Sequence, residues 1–224
     1  MPELRVGLID SGLAGVPAEC VAASRGFVAG PDGEVIQTAV VEDRLGHGSA
    51  LADILLQGAP ACRLVNAQVF GRELRCSAAQ VAAALDWLAG QQVHLVNMSF
   101  GLREDRRVLR LACERAQARG IILIAAAPAR GEPVYPASYP GVIRATGDAR
   151  CTPGELSCLR TPQADFGAHV RSAARGVAGA SVGCARVSAR AARFLGEFPG
   201  ASGMQLMDWL AGQASYHGPE RRSG

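Results

Sequence analysis

An α/β fold on a largely parallel sheet is what the sequence predicts, and three observations carry that reading. Short aliphatic runs recur along the chain with helix-patterned segments between several of them, the alternation that parallel strands need for their crossovers. Hydrophobic residues make up 49% of the 224 residues but aromatics only 5%, so the core is built from small aliphatic side chains. Glycine (27) and proline (12) are too few for a collagen-like or disordered chain, and 19% charged residues suffice for the surface of one compact domain.

The first strand is expected at residues 5–9, where Val6-Gly7-Leu8-Ile9 forms a buried run. The crossover after it starts with a short helix over 17–23, then a glycine-containing connection and an apolar stretch around 34–41. A helix follows at 47–56, ending near Gly58-Ala59-Pro60. Further strands are expected at 63–69, 93–98, 121–126 and 141–146. Ser77 is placed to cap a helix over 78–88, and 105–119 mixes arginines with apolar positions as a half-exposed helix does. Between 148 and 179 the periodicity weakens around Pro153 and Pro162, which predicts loops or short strands near one sheet edge. A small-residue helix resumes at 181–195, and a short one is expected at 204–210. The compact domain is read as residues 1–212, with 213–224 a flexible tail.

Composition excludes several function classes. All 23 basic residues are arginine, which removes Schiff-base, Ser-Lys and phosphate-loop lysine chemistry, and the formal net charge of +3 is too small to mark a polyanion binder. Arg103, Arg106, Arg107 and Arg110 alternate with Glu104 and Asp105 and lack interleaved aromatics, so they read as a solvated helix face that an acidic peptide could still use, not as a nucleic-acid surface. The seven cysteines are irregularly spaced and odd in number, as ordinary thiols are. No apolar stretch approaches the roughly 18 residues of a membrane span and no export signal stands out, so a cytoplasmic protein without membrane attachment is expected. The histidines and cysteines do not combine in a zinc spacing, and the glycines around Asp10 do not follow a dinucleotide-binding pattern. No metal or cofactor is expected. His94 reads as a buried structural histidine, and Cys184 as a small buried residue one helical turn from Ser181.

Three residues carry chemistry. Asp10 ends the first strand and precedes Ser11-Gly12, which sets its carboxylate at the carboxyl edge of the sheet, where open α/β folds place functional groups. His47 stands between Gly46 and Gly48 at a helix start, accessible as a general base. Ser181, in Gly179-Ala180-Ser181-Val182-Gly183, opens the late helix, where a hydroxyl can approach a carbonyl and free backbone N–H groups can hold negative charge. Each alone has a plainer role, as turn cap, structural histidine and N-cap.

Taken in order, Val6-Gly7-Leu8-Ile9-Asp10-Ser11-Gly12, Gly46-His47-Gly48-Ser49 and Gly179-Ala180-Ser181 resemble the subtilisin family of serine proteases. Val96-Asn97-Met98-Ser99-Phe100-Gly101 and Tyr135-Pro136-Ala137-Ser138-Tyr139-Pro140 extend the likeness to about residues 5–195. The resemblance implies a three-layer fold and a serine endopeptidase in which Ser181 attacks, His47 moves the proton and Asp10 fixes the histidine tautomer. It also implies that substrate pairs with Ser99, Phe100 and Gly101, and that the segment around Ala125, Ala126, Ala127 and Pro128 walls a pocket, apolar or accommodating, for the residue before the scissile bond. The implied partner is a peptide or protein substrate, with precursor maturation and an accessory protein in view. Pro128 stands where the family's oxyanion asparagine is expected, leaving the Ser181 N–H as donor. That departure keeps a second reading open, a weakly active or inactive peptide-binding or complex-forming module.

Overall fold

A computed structural model describes residues 3–173 and 176–220. The chain runs through β1 (Arg5–Asp10), β2 (Val21–Ala29), β3 (Val35–Thr38), α1 (His47–Gly58), β4 (Arg63–Gln68), α2 (Ala78–Gly90), β5 (Leu95–Met98) and α3 (Arg107–Ala118). It continues with β6 (Ile122–Ala126), β7 (Ile143–Gly147), β8 (Leu156–Cys158), β9 (Phe166–Ala168), α4 (Ala180–Glu197), α5 (Gly203–Gly212) and β10 (Tyr216–His217). The strands form one mostly parallel sheet in the order β10-β8-β9-β7-β6-β5-β1-β4-β2-β3, in which β2–β3 and β8–β9 pair antiparallel.

Alternation along the strands splits the core into two layers, one on each face of the sheet. Val6 and Leu8 of β1 with Ile124 and Ala126 of β6 face α1, α4 and α5, whereas Ile9, Leu123 and Ala125 face α2 and α3. Helices therefore cover both faces, as a buried parallel sheet requires. Capping chemistry fixes two helix starts: Ser77 Oγ accepts the Gln80 N–H at 3.2 Å while Gln80 Oε1 accepts the Ser77 N–H at 2.9 Å, and Ser202 with Gln205 repeats the box at α5.

Three expectations are corrected. Residues 17–23 hold only a 3₁₀ turn at Ala18–Cys20; Val21 onward joins β2, whose parallel pairing with β4 overrides the local helix preference of the alanines. His94 is exposed, in the turn before β5, with its Nδ1 accepting the Arg5 N–H at 3.2 Å. The tail is tied down through residue 218, because the Ser215 and Gly218 N–H groups bond the Leu156 and Cys158 carbonyls at 2.8 and 2.9 Å; the end of the expected flexible segment, 221–224, lies outside the described residues. The weakly patterned stretch after Asp148 contributes the short strands β8 and β9 near one sheet edge. Among the described residues, no helix is long and apolar enough to cross a membrane and no cluster of His, Cys, Asp or Glu could hold a metal.

Candidate active site

The sheet order reverses around β1, which has β4 on one side and β5 on the other, so the turn after β1 opens a crevice at the carboxyl edge. Asp10 sits there fully buried, and its Oδ1 accepts the Ser11 N–H at 2.8 Å and meets His47 Nδ1 at 2.7 Å. A carboxylate only accepts, so Nδ1 carries the proton and Nε2 keeps its lone pair. The His47 side chain is 13% exposed, which leaves that edge reachable. Asp10 Oδ2 is buried without a hydrogen-bond partner among the described residues, a cost that structural carboxylates normally avoid.

The start of α1 is locked against this turn. The Gly48 N–H donates to Ser11 Oγ at 2.8 Å, and a Cβ on Gly48 would stand 2.3 Å from the Gly12 carbonyl oxygen, so glycine alone lets the helix come this close. Asp43, which the sequence reading passed over, organises the approach: Oδ1 accepts the Leu45 and Gly46 N–H groups at 3.2 and 2.9 Å, and Oδ2 accepts Ser49 N–H and Oγ–H at 3.0 and 2.5 Å. Its signal was present as Asp43-Arg44-Leu45-Gly46, an aspartate set to close a turn. Burial disfavours the charged His47 ring, but the Asp10 hydrogen bond and the charges of Asp10 and Asp43 outweigh it and hold the imidazole above its ordinary range.

Ser181 lies in the first turn of α4, part-exposed, and its hydroxyl donates to the Ser99 carbonyl at 3.0 Å. Among the described residues no hydrogen bond joins it to His47. The first intrahelical bond of α4 runs from the Gly183 N–H to the Gly179 carbonyl, so the Ser181 N–H precedes the ladder and remains a donor for an anion. Beneath it runs a polar network the sequence did not announce. Ser99 Oγ donates to the Ser181 carbonyl at 3.2 Å and accepts from Asn97 Nδ2 at 3.0 Å, while Ser188 Oγ donates to Asn97 Oδ1 at 2.9 Å. Cys184 Sγ–H donates to the same Asn97 oxygen at 3.4 Å, and burial pushes this thiol up to about 12, which keeps it neutral and unreactive.

Ser99, Phe100 and Gly101 continue from β5 at the same edge. Ser99 is buried, and the Phe100 ring packs edge-on against Phe70 at 5.8 Å. Ala125, Ala126 and Ala127 are 0%, 7% and 2% exposed, held by the sheet and by the Ala127 N–H bond to the Ala145 carbonyl at 2.8 Å. The alanines are thus buried, while Pro128, the end of the expected pocket wall, bounds an open cleft of about 680 Å³ together with Pro133, Val134, Tyr135 and the charged Arg103, Arg130 and Glu132.

The sequence pattern of the subtilase family, peptidase S8, matches residues 3–158, a stretch that contains Asp10, His47, Ser99 and Pro128 and ends before Ser181. A thermostable alkaline protease of Halalkalibacterium halodurans is 31% identical over 150 residues, which are 62% of this chain and 40% of that protease. The chain thus spans less than half the length of that relative. Among solved structures, the S41 psychrophilic protease aligns with a TM-score of 0.71 at 18% identity, covering 96% of this chain and 85% of the other. The prenylagaramide maturation protease PagA aligns with a TM-score of 0.64 at 19% identity, covering 88% and 77%. With its Asp-His pair at the reversal of a parallel sheet and a family match over most of its length, the chain belongs to the subtilase family.

Proposed function

We propose that this chain is a serine endopeptidase that cuts a restricted peptide or protein substrate through an acyl-enzyme. The single observation that carries this reading is the 2.7 Å contact of buried Asp10 with His47 Nδ1, which leaves Nε2 basic at the edge where α4 presents Ser181. Ser181 Oγ turns from the Ser99 carbonyl to attack the scissile carbonyl carbon as His47 Nε2 takes its proton. The imidazolium is stabilised by Asp10, and the tetrahedral oxyanion by the Ser181 N–H. Collapse breaks the C–N bond as His47 returns the proton to the leaving amine; a water activated by His47 then releases the acid.

PagA carries maturation in its title, and precursor maturation is the role we infer for a chain with this fold. Seven cysteines, all free thiols, support work in a reducing compartment such as the cytoplasm. Pro128 favours the second reading, a subtilase fold that holds peptide or an accessory protein with little turnover, because neither its ring nor its nitrogen donates to an oxyanion.

The test pairs a diverse peptide library with a fluorophosphonate probe, using Ser181→Ala as control. Cleavage and labelling of the parent that both vanish in the variant are expected. No cleavage above the control, or labelling that survives the substitution, overturns the endopeptidase reading.

A further inference from the structure

We propose that the cleft beside Pro128 selects an acidic side chain, so that the substrate carries glutamate or aspartate at the residue before the scissile bond. This rests on the endopeptidase reading above, and it names the substrate class for the same site.

The cleft opens where the chain leaves β5 and β6, the two strands whose ends carry Ser99 and Pro128, with Ser99 itself hydrogen-bonded to Ser181. Val134 packs so near Gly101 that a Cβ there would lie 2.8 Å from Val134 Cγ2, and reciprocal Leu102 and Tyr135 backbone bonds of 2.7 and 2.8 Å pin the two segments together. Ala125–127 are buried as well, so their side chains offer the cleft almost no surface.

The cleft has walls of Pro128, Pro133, Val134 and Tyr135, with Arg103, Arg130 and Glu132 around it, two positive groups against one negative. Arg106 and Arg110 of the same basic run are neutralised by Glu104 at 2.6 Å and Asp105 at 3.3 Å. Among the described residues, neither Arg103 nor Arg130 forms an ion pair. A short acidic side chain lays its methylenes on the proline and valine and brings its carboxylate to guanidinium groups shaped for two-point binding. A basic residue meets like charge, and a neutral one gains nothing from the arginines.

The experiment uses synthetic octapeptides that differ only by glutamate or glutamine before the cleaved bond, in two arms. One arm reads kcat/KM with the parent chain. The other reads binding to the Ser181→Ala chain by fluorescence anisotropy and so does not depend on turnover. The expected glutamate-to-glutamine ratio is between about threefold and tenfold in each arm, shrinking as salt rises. In Arg103→Ala/Arg130→Ala it falls to about one, and in Arg103→Glu/Arg130→Glu a lysine-bearing peptide replaces glutamate as the preferred ligand. Loss of cleavage with the binding ratio intact counts against the endopeptidase and leaves the acidic cleft standing. A ratio near one in the binding arm, or one that survives the double alanine variant, overturns the acidic cleft.

Discussion

His47 is held between a buried carboxylate on Nδ1 and a second carboxylate, Asp43, beneath its helix start, and together they keep its imidazole charged to higher pH than usual despite burial. A general base must be neutral, so the acid limb of the kcat/KM profile is expected above the ordinary imidazole value. Asp10→Asn should move it down and cut turnover, and Asp43→Asn should move it less. Stability runs the other way: the raised folded value means that this contribution is complete below the unfolded value and lost as pH climbs through the folded one. An acid limb at or below the ordinary imidazole value would show that another group governs the rate. Pro128 sets a second residue-scale expectation. Removing one side-chain oxyanion donor costs about 10²–10³ in kcat, a magnitude that comes from subtilisin itself, so Pro128→Asn should raise turnover toward that factor. A folded variant with unchanged or lower turnover would place the oxyanion against a different donor.

Elements set by local signals were legible, and those set by distant pairing were not. Aliphatic runs marked β1, β4, β5, β6 and β7, and the glycines around His47 marked the start of α1. Val21–Ala29 escaped because its alanines carry no strand pattern; it is a strand because β4 lies beside it. Asp10 and His47 were readable from their motifs and do meet, but no motif states that Ser181 bonds Ser99 or that Val134 closes the space beside Gly101. The Asn97, Ser99, Cys184 and Ser188 network joins β5 to α4 across 82 to 91 positions of sequence, a separation at which pattern carries no information. That network fixes the first turns of α4 to the end of β5, so the height of Ser181 above the sheet is set by buried hydrogen bonds as well as by the helix itself.

At the scale of the whole molecule, the sheet is closed at one end by the chain's last described residues. β10 lies beside β8 through the Ser215 and Gly218 amides, and Arg150 links it to the turn after β7: its Nη2 donates to the Gly218 carbonyl at 2.8 Å and its guanidinium stands 5.2 Å over the Tyr216 ring. Asp148, mostly buried, fixes Arg150 in that pose through a 2.7 Å ion pair. Ending the chain at Gly212 removes, besides the last bonds of the α5 C-terminus, the Ser215, Gly218 and Arg150 hydrogen bonds that hold the strap and a cation–π contact, these strap contacts together worth about 2–4 kcal/mol. For a domain of this size that corresponds to a fall in Tm of roughly 4–16 °C, measurable by differential scanning calorimetry. Tyr216→Ala in the full chain removes the ring contact alone and should give the smaller part of the fall. Because β10 lies at the end of the sheet beside β8, with β9, β7, β6 and β5 between β8 and β1, His47 keeps its Asp10 contact, and the truncated chain below its Tm should retain the same acid limb. An unchanged Tm would mean that the strap adds no net stability, and a shifted acid limb would mean that the sheet end and the catalytic crevice are coupled.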